Sequence, residues 1–168
     1  HGKVGNSASG ITCDRSGGKF GPFEGQLFVA DQTQSVINRC FLEKINGYYQ
    51  GACFPFKKGF GSGNVPLMQC PDGSFYSGGT DRGWGARGGK RFALDRLVWT
   101  GKTPFEVHEM RIQSDGFELT FTEPVDPATA LDSASYTIGT YTYIFQGRYG
   151  SPQVDATQPT IKSAKVAS

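Results

Sequence analysis

The sequence is poor in the residues that hold metals. It has two histidines in 168 residues, and none of its four cysteines forms a Cys-x-x-Cys pair, so a zinc site has little to build on. No Cys-x-x-Cys-His occurs, which excludes c-type haem attachment to this chain. No Asp-x-Asp-x-Asp series gathers the oxygens a calcium loop needs, and Asp31, Asp72, Asp81 and Asp115 read as turn and strand-end residues. Charge of one sign is also lacking. Seventeen Lys and Arg against fifteen Asp and Glu leave +2, too little for a nucleic-acid footprint. No apolar run approaches the ~20 residues of a membrane-spanning helix. Helical periodicity is nearly missing, with only Pro127 to Leu131 inviting a turn.

What is present is glycine and aromatic mass. Twenty-four Gly and nine Pro make the chain rich in turns, while thirteen Phe, seven Tyr and two Trp supply the apolar payload that disordered chains lack. Short strand-like runs recur at Gln26 to Ala30, Val36 to Ile45, Tyr48 to Phe56, Val65 to Cys70, Ser74 to Tyr76 and Phe92 to Thr100. Further runs follow at Phe105 to Ile112, Phe117 to Thr122, Ser135 to Ile138, Thr140 to Phe145 and Thr160 to Val166. The expected fold class is all-β.

Asn46-Gly47, flanked by apolar runs, is the strongest short hairpin signal in the chain. A two-residue turn there sets Cys40 directly opposite Cys53, at a non-hydrogen-bonded site where side chains approach most closely. A Cys40–Cys53 disulfide is expected, and by elimination a second between Cys13 and Cys70. Two disulfides imply an oxidising compartment: secreted, periplasmic or cell-surface.

A repeat is visible. Gly25-Gln26-Leu27-Phe28 is echoed by Gly73-Ser74-Phe75-Tyr76, and Asn38-Arg39-Cys40-Phe41 by Asp95-Arg96-Leu97-Val98. Strand-built repeats of this length suggest propeller blades.

The motifs Gly21-Pro22-Phe23-Glu24-Gly25-Gln26-Leu27-Phe28-Val29, Gly51-Ala52-Cys53-Phe54-Pro55-Phe56, Arg82-Gly83-Trp84-Gly85 and Arg96-Leu97-Val98-Trp99-Thr100-Gly101 occur in that order. Phe105-Glu106-Val107-His108-Glu109-Met110-Arg111 and Phe117 to Asp126 complete the series. It resembles the C-terminal part of large secreted planctomycete and verrucomicrobial proteins akin to sorbosone or glucose dehydrogenases of the pyrroloquinoline-quinone type. The resemblance implies a β-propeller. Residues 1–101 would supply about two blades, where closure takes about four or more. Residues 102–168 resemble an incomplete immunoglobulin-like module. None of that family's quinone or catalytic positions maps onto this chain, so no cofactor is expected in it.

Three functions follow as expectations. The first is the C-terminal scaffold of a sugar-dehydrogenase-like oxidoreductase, joined to the rest of a larger chain. The second is a non-catalytic extracellular module that self-assembles by exchanging the Thr160 to Ser168 strand into a groove lined by Phe117, Leu119 and Phe121. The third is copper oxidation through an N-terminal His1 with His108. Arg82, Trp84 and Arg87, in the glycine-rich stretch Thr80 to Arg91, are the candidate substrate-binding residues, an aromatic platform beside guanidinium forks suited to a sugar. Glu106 and His108 share a strand face, which would let Glu106 orient His108 as a base, but no nucleophile motif accompanies them, and His108 reads as a surface or packing residue.

Overall fold

The computed structural model describes residues 4–148 and 150–167. The fold is all-β and forms two compact units, His1–Glu123 and Pro124–Ser168.

In the first unit, β1 (Ala8–Cys13), β2 (Leu27–Asp31), β3 (Val36–Ile45) and β4 (Tyr48–Lys58) form an antiparallel sheet in chain order. β5 (Asn64–Gln69), β6 (Phe75–Thr80) and β7 (Phe92–Leu97) form a second, and β8 (Val107–Gln113) pairs with β9 (Gly116–Phe121). The Asn46-Gly47 turn forms as expected. Both residues have positive φ, +48° and +87°, the combination a type I′ hairpin needs. Its register runs from Ile45 opposite Tyr48 to Cys40 opposite Cys53.

The first sheet lays one face on the second. From it come Phe28, Ala30 and Ile37, and from the second sheet Phe75 and Leu67, with Phe20 and Phe23 of the β1–β2 connection between them. The Phe28 and Phe75 rings lie 4.8 Å apart, and Phe20 meets Phe75 edge-on at 4.5 Å. Where β1 passes β5 the backbones nearly touch, since a Cβ on Gly10 would stand 2.4 Å from the Val65 carbonyl oxygen. Among the described residues, twelve buried polar side chains outnumber nine buried apolar ones, so side-chain hydrogen bonds to backbone share the work of cohesion. Asp31 is typical: its carboxylate accepts from the amides of Asn6, Ser7 and Gln34.

The repeat is structural. Leu27 and Phe75 both open a second strand, and Phe28 pairs with Arg39 as Tyr76 pairs with Arg96.

In the second unit, Asp126 caps the short helix α1 (Pro127–Ala130), and Asp132 caps a 3₁₀ turn at Ser133–Ser135. The strand expected over Ser135 to Ile138 does not form: Ser135 ends this turn, and Tyr136 to Ile138 are irregular. β10 (Thr140–Tyr143) pairs with β11 (Gln153–Thr157), the Thr140 and Thr157 hydroxyls bonding at 2.7 Å. The strand expected at Thr160 to Val166 does not form. Pairing is taken up earlier, by β11, and Pro159, which has no amide hydrogen, stands two residues beyond it. Phe117, Leu119 and Phe121, the residues of the expected groove, lie in β9, which pairs with β8 on one edge, and Phe121 stacks on Phe105 at 5.3 Å.

Candidate functional site

The β6–β7 connection holds Arg82, Trp84 and Arg87, and main-chain bonds fasten it. The Arg87 amide donates to the Thr33 carbonyl at 3.1 Å, Gly88 to the Ser35 hydroxyl at 3.0 Å and Lys90 to the Gly61 carbonyl at 3.0 Å. The buried Gln32 amide donates to the carbonyls of Thr80 and Trp84. A Cβ on Gly88 would stand 2.5 Å from backbone atoms of Gly61 and Ser62, so only glycine allows this approach. The three candidate side chains all face solvent, Trp84 at 77% exposure. Among the described residues none of the three makes a side-chain hydrogen bond or ion pair.

Beside this loop the second sheet carries an open apolar face. Cross-strand pairing sets Met68, Tyr76 and Arg96 in one row, with Leu94 and Phe92 above, and Val98 follows the end of β7. Phe92 is 81% exposed, Leu94 73% and Val98 54%. Arg96 lies over the Tyr76 ring and pairs with Asp72 at 2.5 Å. Bonds from Ser74, then Arg96, hold the Asp72 carboxyl below its usual range. The repeat makes the contrast plain. Ile37, Arg39 and Phe41, the counterparts of Leu94, Arg96 and Val98, are 1%, 0% and 6% exposed. The first sheet's face is covered and the second's is bare.

Arg39 shows what cover does. Its guanidinium donates to Gln26 Oε1, to the His108 carbonyl at 2.9 Å and to the Val107 carbonyl at 2.5 Å. It lies between the rings of Phe23 and Phe54, 4.7 and 4.6 Å from their centroids, with Glu106 at 3.6 Å. Burial pushes the guanidinium below its ordinary value, and Glu106 opposes the shift. Burial likewise raises the Glu106 carboxyl, and Arg39 opposes that. Arg39 thus docks the β8–β9 hairpin on the first sheet. Sequence reasoning missed this role; the one available signal was the echo of Arg39 in Arg96.

Glu106 turns to Arg39, and His108 Nε2 contacts the Pro22 carbonyl at 2.6 Å. His108 is a packing residue in this geometry. His1 lies outside the described residues. No cluster of three metal-ligating side chains occurs among those described.

The sulfurs of Cys40 and Cys53 lie 3.5 Å apart, in contact and unbonded. The hydrogen bond with Cys53 lowers the Cys40 pKa to about 7, with burial opposing and Arg39 assisting. The same bond, with burial, raises that of Cys53. Cys13 and Cys70 are also thiols; the Cys13 sulfur faces the Asp14 carbonyl, and the Cys70 amide bonds Ser74.

No family model, curated protein or solved structure matches the chain.

Proposed function

We propose that this chain is a non-catalytic scaffold, two blade-like sheets of a stacked β architecture with no complete active site of its own. The observation that carries the reading is the unequal burial of equivalent faces, Leu94 at 73% beside Ile37 at 1%. A scaffold sheet left bare on the side where its neighbour is covered is a member of a longer series. The motif resemblance makes the parent a secreted sugar-dehydrogenase-like propeller protein, with oxidised Cys40–Cys53 and Cys13–Cys70 pairs as the expectation for that compartment.

The test has two arms. Supplied with pyrroloquinoline quinone, calcium, sugars and an artificial electron acceptor, the chain is expected to give no turnover above a heat-treated control. An apolar fluorescent dye should bind it and lose that binding in Leu94→Ser. Clear turnover, or unchanged dye binding in the variant, refutes the scaffold reading.

A second reading concerns Trp84 alone. An indole this exposed on a main-chain-fastened loop is a ready stacking platform, and Arg82 and Arg87 flank it on the same loop. Oligosaccharide titration followed by tryptophan fluorescence, with Trp84→Ala as control, tests this carbohydrate site.

A further inference from the structure

The partner of the bare face can be named from the faces the chain already joins. Each sheet has two. One carries Phe28, Ala30, Ile37, Arg39 and Phe41 in the first sheet, and Tyr76, Gly78, Leu94 and Arg96 in the second. The opposite one carries Leu27, Val29, Asn38 and Cys40 in the first, and Phe75, Ser77, Asp95 and Leu97 in the second. Inside the molecule the first face of sheet one packs on the opposite face of sheet two, through Phe28 and Phe75 at 4.8 Å. The contact is heterologous, so it uses one half of each sheet and leaves the complementary halves outside it; on the first sheet's half Asn38 is buried and donates to the Val4 carbonyl, and the rest is half-buried or open.

Both halves expose apolar side chains. The second sheet offers Met68, Phe92, Leu94 and Val98. The first offers half-buried Leu27 and Val29 with the more open Ile11 and Leu42, 60% and 49% exposed. Beside them a recess of about 250 Å³ is lined by Val4, Val29, Asn38, Cys40 and Cys53. Leu27 and Cys40 stand at the register positions that Phe75 and Leu97 hold in the internal interface.

We infer that a second copy of this chain seats its first sheet on the bare face of β5–β7, continuing the internal stack from one molecule to the next. The inference rests on the scaffold reading and adds the partner. Because the two contacting faces differ, the association is head-to-tail and does not stop at a dimer unless the rotation closes a ring.

Two blocked variants test it. Leu94→Asp closes the β7 face, and Ile11→Asp with Leu42→Asp closes the β1–β3 face; these exposed positions leave the core intact. In sedimentation velocity across a concentration series, the wild type should form a ladder or a closed ring. Each variant alone should stay monomeric, its self-association weakened about tenfold or more. Mixed one to one, the variants should form a heterodimer and nothing larger, because each retains one working face. A wild type monomeric at every concentration overturns self-stacking, as does a mixture that fails to associate. So does an Ile11→Asp/Leu42→Asp variant that still dimerises, since its contact would then be symmetric. The scaffold reading has separate tests: a monomer that binds the apolar dye through Leu94 and shows no turnover refutes self-stacking alone.

Discussion

Replacing Arg39 with alanine should undock one element and leave the rest standing. The guanidinium is fully buried, and its removal strands the carbonyls of Val107 and His108, the Gln26 amide oxygen and the Glu106 carboxylate. Breaking a buried pair by deleting one partner costs about 3–5 kcal/mol. The two ring contacts at 4.7 and 4.6 Å lie within that sum, each about 0.5–2 kcal/mol. Against the roughly 5–15 kcal/mol total of a small domain, the loss is a large fraction. Arg96→Ala, at the equivalent register position, removes a side chain 45% exposed and an ion pair with a 54% exposed partner. That exchange should cost at most about 1 kcal/mol. Urea unfolding, followed through half-buried Trp99 beside Phe20, measures both. Hydrogen exchange then locates the damage. In Arg39→Ala the amides of β8 should lose protection first, while β2 and β6 keep theirs. Equal costs for the two arginines, or a loss below about 1 kcal/mol for Arg39→Ala, would show that the guanidinium does not hold the hairpin.

In the reduced protein, Cys40 should alkylate with a rate that rises through pH 7 rather than the usual thiol range, because a lowered pKa places the reactive thiolate there. Mass spectrometry after iodoacetamide at several pH values checks this, with Cys53 lagging. Under oxidation the Cys40 and Cys53 peptides should be linked in a non-reducing map, and either cysteine linked elsewhere would break the hairpin register. The bond should add modest stability, since it closes a short loop already held by strand pairing. Gly10→Ala should cost about 1–3 kcal/mol in urea, because the added carbon meets backbone of β5 rather than a side chain that can turn away.

Local chemistry was legible and long-range cover was not. Asn46-Gly47 dictated turn type, register and the facing cysteines from a handful of adjacent residues. The repeat echoes marked the second and third strands of both sheets. β1 escaped notice because Ala8–Cys13 has no clean apolar alternation, and it forms by edge pairing with β2 and close passage along β5. β11 escaped for a similar reason: Gln153–Thr157 is polar, and a bulge separates its two stretches of pairing with β10. Nor could the sequence tell Ile37 from Leu94, or Arg39 from Arg96. Each pair is nearly the same chemistry in the same register, and only packing from elsewhere divides them. For the candidate site, the Trp84 loop was readable as glycine-rich and aromatic, whereas its attachment through Thr33, Ser35 and Gly61 depends on the fold.

That attachment separates two tasks within one loop. Amides and carbonyls carry the mechanical duty, with Gly88 giving the close approach they need, so the side chains at the other positions are not what fastens the loop. The protruding groups at Arg82, Trp84 and Arg87 are thereby released from any structural obligation. Exchanges at those three positions should leave thermal stability nearly level while altering whatever the surface meets. The loop is a place where new specificities can be tried at little risk to folding, which makes it the natural position for a randomised binding library built on this framework.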